Sequence, residues 1–246
     1  MTIDLEQLDK DFVFVIATQH TREKAEQELP IIKSLVKLYN LIGEIGDESN
    51  IGVITFFDNK EGLSAVNNQV IKAAINNRSK VKYFIFIHDD VEIRDLNIFE
   101  TLEDSFKQFD VVGLAGTTKI SFKSPMIAWH ASPKECWRGG VAHPQQYKDK
   151  TVTYFNSYGI YDAQVLTIDG LFIAVKKEVF EAGVRFNEAF NFDFYDMSFC
   201  LNAREKGFKV GVAPIFCLHH SHGAGIYDIT YTEAQKKFIE EYKDKS

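Results

Sequence analysis

Residues 81–94 read Val-Lys-Tyr-Phe-Ile-Phe-Ile-His-Asp-Asp-Val-Glu-Ile-Arg, a stretch that leaves the chain few alternatives. Val81, Tyr83, Ile85 and Ile87 share one face of a strand and Phe84 and Phe86 the other. Both faces therefore require burial, as in the centre of a parallel sheet. The strand ends at His88-Asp89-Asp90. Open α/β sheets bind ligands at the carboxyl ends of their strands, so two adjacent carboxylates and an imidazole fall in the expected crevice. Carboxylates pressed together there repel each other unless a cation sits between them. Two readings follow: Asp89 and Asp90 belong to a divalent-metal site for a phosphate-bearing ligand, or they are turn and cap residues opening the next loop.

The first half alternates strand and helix. Residues 11–18, Asp-Phe-Val-Phe-Val-Ile-Ala-Thr, read as the first buried strand. One helix is predicted over residues 21–39, with Leu29, Ile32, Leu35 and Val36 as its apolar stripe and Pro30 at odds with its continuity. Ile51-Gly-Val-Ile-Thr-Phe-Phe is the second strand, ending at Asp58, and a helix entered near Gly62 leads to residues 81–87. A helix near 98–109 and a strand over 111–115 continue the alternation, which predicts a parallel sheet with right-handed crossovers.

The second half changes character. Residues 119–161 carry Trp129, His130, Pro133, Trp137, Gly139-Gly140 and Pro144 with little periodicity, which predicts a long functional loop or lid. Trp129 and Trp137 either stack on a sugar ring or fill the core. Strand patterning resumes over 164–176 around Asp169-Gly170, and a short helix is predicted over 177–182. In the helix predicted over 192–206, Tyr195, Phe199, Cys200 and Ala203 share a face, and Asp196 lies among them. A carboxylate there either looks into a cavity that uses it, with its pKa raised by desolvation as a general base requires, or it opposes the helix dipole in the first turn. His219-His220-Ser221-His222 supplies imidazoles that suit a metal ion or belong to a polar surface loop. An amphipathic helix over 231–242 closes the chain.

Composition narrows the classes. A chain of 246 residues with 45% hydrophobic and 26% charged residues fits one soluble domain. A net charge of −7 argues against a nucleic-acid groove. Cys136, Cys200 and Cys217 lack metal-finger spacing and suit free thiols in a reducing compartment. The polar first ten residues predict no signal peptide, and no apolar run approaches a membrane span. The expectation is a cytoplasmic protein, with peripheral membrane association left open.

Gly62-Leu-Ser-Ala-Val-Asn67-Asn68, His88-Asp89-Asp90, Asp169-Gly170-Leu-Phe-Ile-Ala-Val, Phe192-Asp-Phe-Tyr-Asp196-Met-Ser-Phe-Cys-Leu-Asn-Ala-Arg, Gly207-Phe-Lys-Val and His219-His220 occur in an order that resembles the family 2-like glycosyltransferases of the GT-A fold. The resemblance spans about residues 12–225. It implies a single α/β GT-A-like domain over 1–246, with a mostly parallel twisted sheet flanked by helices. Residues 11–115 would form the nucleotide-sugar half, 116–225 the smaller acceptor and catalytic half, and 226–246 a terminal helix. The implied activity is inverting, hexosyltransferase-type transfer of a sugar from a nucleotide-diphosphate sugar to an acceptor hydroxyl, in surface polysaccharide or glycan synthesis, dependent on Mn2+ or Mg2+.

Carried over residue by residue, Asp90 matches the last acid of the family's Asp-x-Asp motif and Asp89 stands beside it at the ion. His88 takes the motif's first position, where Asp is more usual, which leaves it on the ion or at the nucleotide ribose. Asp196 matches the catalytic base, and Tyr195 replaces the Glu that precedes it. His220, or His219 beside it, matches the late metal or diphosphate ligand. Thr18, Asp58, Gly62 and Asn67 fall at the donor, and Trp129, Trp137, Asp169 and Gly170 at the acceptor. The competing readings are a sugar nucleotidyltransferase, which would need a glycine-rich phosphate loop where this chain has Thr18-Gln-His-Thr-Arg, and a catalytically silent carbohydrate-binding module.

Overall fold

The computed structural model describes residues 3–45, 50–221 and 229–245. The predicted loop at His222-Gly223 lies outside them. In the first half, β1 (Phe12–Ala17), α1 (Arg22–Glu28), α2 (Pro30–Ile45), β2 (Ile51–Phe56), α3 (Leu63–Asn76) and β3 (Tyr83–Ile87) follow in turn. Short β4 (Val91–Ile93), α4 (Ile98–Phe106), β5 (Val111–Gly113) and β6 (Ala115–Thr117) come next, then the paired strands β7 (Trp137–Tyr147) and β8 (Lys150–Ser157). The remainder is β9 (Ala163–Gln164), β10 (Thr167–Ile168), β11 (Phe172–Lys176), α5 (Lys177–Glu181), α6 (Tyr195–Glu205), β12 (Val210–Val212), β13 (Cys217–His219) and α7 (Ile229–Tyr242).

The main sheet runs β2-β1-β3-β11-β5-β12-β9. β2, β1 and β3 are mutually parallel, as are β5 and β12, and β11 is antiparallel to both β3 and β5. Both faces of β3 are covered, as its composition requires. Phe84 and Phe86 pack with Phe180, Phe186 and Phe199 beneath α3 and α6, while Ile85 and Ile87 join Phe14 and the residues of α1, α2 and α4 on the other side. The period-2 alternation thus assigns successive residues of each central strand to opposite apolar layers.

A second sheet, β10-β6-β7-β13-β4 with β8 beside β7, stands at the carboxyl end of the first. Leu114 alone separates β5 in one sheet from β6 in the other, so what reads as one strand over 111–115 is divided between two. The register Val91↔His219 pairs β4 with β13, and Asp169 N–H donates to the Ala115 carbonyl at 2.9 Å. The three loops that carry the acids and imidazoles are thereby drawn to one sheet corner.

Two further expectations are corrected. The helix predicted over 21–39 is two helices, because proline pushes the preceding Leu29 out of the helical region and can itself only open a new helix. The predicted irregular lid over 119–161 contains an 11-residue strand and an 8-residue strand joined at Lys148-Asp149. β8 is exposed along nearly all its length, so no alternation of apolar and polar residues marks it. Gly139 in β7 adopts φ +80°, and a Cβ there would collide with the Leu114 carbonyl, so the glycine pair serves close strand packing rather than a loop. Among the described residues no helix is long and apolar enough to cross a membrane.

Candidate active site

At the end of β3 the chain leaves the main sheet through His88-Asp89-Asp90 and enters β4. Pairing of β4 with β13 brings the 219–220 segment alongside: the His220 N–H donates to the Asp90 carbonyl at 2.9 Å, and Asp90 Oδ2 lies 3.3 Å from His219 Nε2. One ligand atom each from His88, Asp90 and His219 lie within 4.8 Å of one another. Two donors across a single ion would be separated by roughly 4 Å, so the spacing is of the right order. Asp90 Oδ1 is buried with no hydrogen-bond partner among the described residues, whereas buried polar atoms are nearly always satisfied. Spacing, orphaned oxygen and donor type all fit a divalent cation. Two imidazoles and one carboxylate favour a borderline ion over one that takes oxygen ligands only.

The electrostatics agree. Burial pushes the Asp90 carboxyl up, but the hydrogen bond and charge of His219, with the charge of His88, outweigh it and hold the group below its ordinary value. Burial pulls His219 down, and its bond to Asp90 more than compensates and leaves it raised. For His88 desolvation wins over the nearby carboxylates and lowers its pKa, the direction that favours the uncharged imidazole.

Opposite this group stands the Asp169-Gly170 turn, fastened to β3 by the His88 N–H, which donates to the Leu171 carbonyl at 3.0 Å. Both oxygens of Asp169 are engaged: Oδ1 accepts from the Leu171 N–H at 3.2 Å and Oδ2 from the Trp129 indole at 2.8 Å. Tyr195 in the first turn of α6 donates its hydroxyl to the Gly170 carbonyl at 2.6 Å, and the same oxygen lies 2.9 Å from His88 Nε2. A Cβ on residue 170 would come within 2.6 Å of that hydroxyl, so the close approach requires glycine. Burial raises the Tyr195 pKa well above the usual value and the hydroxyl keeps its proton.

Asp196 follows, half-buried, with Oδ1 accepting from the Met197 N–H at 2.7 Å. Desolvation and then the Asp169 charge push its pKa from 3.8 to about 7. The helix is aimed by Phe194, whose left-handed φ of 63° is held by aromatic contact with Phe190, Tyr231 and Phe238. Replacing Trp129 by Phe removes one donor from the Asp169 carboxylate, and urea unfolding is expected to register a loss of about 1–3 kcal/mol. An unchanged midpoint would mean that the bond carries no stability.

Beside this cluster a cavity of about 550 Å³ is lined by Thr18, Gln19, His20, Asn59, Lys60, Gly62, Asp89, Asn191 and Phe192, among others. The cavity is closed on one side by the start of α3, where Gly62 sits so near Asn191 that a Cβ would lie 2.5 Å from its side-chain oxygen. Of the residues singled out in the sequence, Thr18, Gly62 and Asp89 line this hollow. Asp58 occupies the preceding turn at φ 50°, its N–H bonded to the His20 carbonyl, and Asn67 is buried on α3; neither is among the lining residues. His220 pairs with Glu92 at 2.9 Å rather than joining the His88 group, which takes His219 instead. Trp129 is buried, and Trp137 stands edge-on to it with its indole on Ser132.

Four participants were given no site role by the sequence. Glu92 binds His220, His143 lies with its ring 5.5 Å from that of His219, Phe192 stacks on His88 at 5.6 Å, and the Tyr195 hydroxyl links His88 to Gly170. Phe192 and Tyr195 both shortly precede Asp196 in the chain and so were within reach; His143 and Glu92 carry no local signal.

The catalytic domain of Drosophila beta1,4-galactosyltransferase 7, solved in complex with xylobiose, superposes with a TM-score of 0.51 at 10% identity, over 92% of this chain and 79% of that one. The protein A197 from STIV gives a TM-score of 0.43 at 14% identity, over 85% and 82% of the two chains. No curated protein matches the sequence. The sequence model described as "Glycosyltransferase like family" matches residues 45–242, which takes in α3, the His88-Asp89-Asp90 corner, Asp169, α6 and both late histidines. With most of its length matched by that model, the chain belongs to the glycosyltransferase-like family, of the family 2-like type with the GT-A fold.

Proposed function

We propose that this protein moves a hexose from a nucleotide-diphosphate sugar to a hydroxyl of a glycan acceptor, with inversion at the anomeric carbon, in surface polysaccharide or glycan synthesis. The observation that carries the reading is the adjacency of two features: the His88, Asp90 and His219 group, and a hollow of about 550 Å³ reached through Asp89 of the same loop. A volume of that size is typical of small-ligand sites. The imidazole-rich donor set favours Mn2+ over Mg2+. When bound, the ion would supply positive charge to the diphosphate that leaves the sugar.

Thr18, Gly62 and Asp89 would meet the donor from the walls of the cavity, with Asp58 and Asn67 shaping the segments that carry two of those walls. Asp196 is the base: its carboxylate takes the proton of the attacking hydroxyl as that oxygen bonds to the anomeric carbon. A pKa near 7 leaves the carboxylate substantially ionised at neutral pH yet basic enough to accept the proton. Asp169, held by Trp129 and the Leu171 N–H, is a fixed negative charge beside it and, with Gly170 and Trp137, borders the acceptor side.

A panel of nucleotide sugars incubated with the protein and Mn2+ tests this. Slow release of nucleoside diphosphate, faster when an acceptor glycan is present, is the expected result. Release of pyrophosphate from a sugar phosphate and a nucleoside triphosphate would identify a nucleotidyltransferase, and no turnover of any donor would identify a silent module.

A further inference from the structure

The Tyr195 hydroxyl sits between two partners and has one proton to give. Its 2.6 Å contact with the Gly170 carbonyl consumes that proton, because a carbonyl oxygen can only accept. The 2.9 Å contact with His88 Nε2 then has the opposite sense: the tyrosine oxygen accepts and Nε2 must carry the hydrogen. A neutral imidazole holds one ring proton, so the lone pair is left on Nδ1.

The arrangement has little freedom to invert. Tyr195 is 3% exposed, its ring lies against Phe186 at 6.0 Å, and Gly170 approaches so closely that no side chain fits between. The His88 ring has Phe192 beside it at 5.6 Å and meets Tyr195 at its Nε2 edge, with ring centroids 6.1 Å apart, and its backbone N–H is bonded to the Leu171 carbonyl. Imidazoles that bind metal ions ordinarily donate their other ring N–H to a fixed acceptor, which sets the tautomer and the ring orientation. We infer that Tyr195 is a positioning residue that commits Nε2 of His88 as a hydrogen-bond donor and so presents Nδ1 to the cation. The inference rests on the cation site proposed above. It also couples the two halves of the reaction centre, since the residue that orients His88 directly precedes Asp196 on α6.

The test begins without any cation. In protein labelled with 15N at histidine, two-dimensional 15N–1H spectra of the metal-free protein report which nitrogen of His88 is protonated. The expected result is the Nε2–H form, and the Nδ1–H form would overturn the inference with no variant needed. Tyr195→Phe keeps the ring and removes the acceptor. It is expected to mix the two tautomers and to weaken Mn2+ binding about 10- to 100-fold, read from the resonance of free Mn2+ in titrations. A residue that only fills space would lower the melting temperature by a few degrees and leave both readouts alone. That outcome would also overturn the inference. Asp90→Ala in the same titration separates the two claims: if it too leaves Mn2+ affinity unchanged, the cation site itself is wrong, whereas loss in Asp90→Ala with retention in Tyr195→Phe removes only the role of Tyr195.

Discussion

Asp196→Asn is expected to lower turnover by about 100- to 10,000-fold while donor binding survives, the range ordinarily supplied by a positioned general base. Asparagine keeps the shape and the Met197 contact but cannot take a proton. The pH dependence follows from the same group. With a pKa raised to about 7, the wild-type kcat/KM should fall roughly tenfold for each pH unit below 7 and level off above it. Stability moves the other way. The folded pKa is raised above the unfolded 3.8, so the folded protein holds this proton more tightly; that stabilisation is complete below about pH 4 and is lost as pH rises through 7. Above pH 7 the wild type therefore carries an ionised, crowded carboxylate that the Asn variant lacks. Asp196→Asn should melt at higher temperature at pH 8, by about 1–3 kcal/mol of stability because the group is only half-buried, and the difference should vanish near pH 4. Turnover within tenfold of wild type, or a melting difference that does not depend on pH, would remove Asp196 from its assigned role.

Asp90→Ala is expected to abolish the effect of Mn2+ on donor binding, with Mn2+ affinity reduced at least 100-fold in calorimetry. The magnitude follows from what is removed, the only carboxylate of the group and the one whose Oδ1 has no other use among the described residues. His219 loses the carboxylate oxygen 3.3 Å from its Nε2 that helps fix its ring, so one substitution disturbs two members of the group. Metal-free stability should change little. The variant deletes a buried oxygen that lacked a hydrogen bond, which is favourable, and breaks a partly exposed ion pair, which is not. A donor affinity that still rises with Mn2+ in Asp90→Ala would place the ion elsewhere.

The contrast between His219 and His220 shows where reading by order stops. Either imidazole satisfies the spacing along the chain, and choice between them depends on which strand face each side chain takes. β13 ends at His219, and pairing with β4 turns His219 toward Asp90 and leaves His220 beside Glu92. The same limit hid β8. Its residues are exposed, and hydrophobic alternation records burial rather than extended backbone, so a solvent-facing strand leaves no trace in the pattern. β5 and β6 were merged for a related reason: a continuous apolar run signals burial on both sides and carries no information about which sheet receives each end.

What the amino-acid order determined by itself was whatever depends on near neighbours. It determined the doubly buried strand that ends in His88-Asp89-Asp90, the strand and helix alternation before it, and an acid placed on the apolar face of α6, because periodicity and turn chemistry act over a few residues. Only the tertiary structure decided that Asp90 meets His219, that Trp129 holds Asp169, and that the hydroxyl of Tyr195 lies between Gly170 and His88. Those contacts join residues from 25 to 129 positions apart. They are selected by sheet pairing and core packing, which the whole chain settles together.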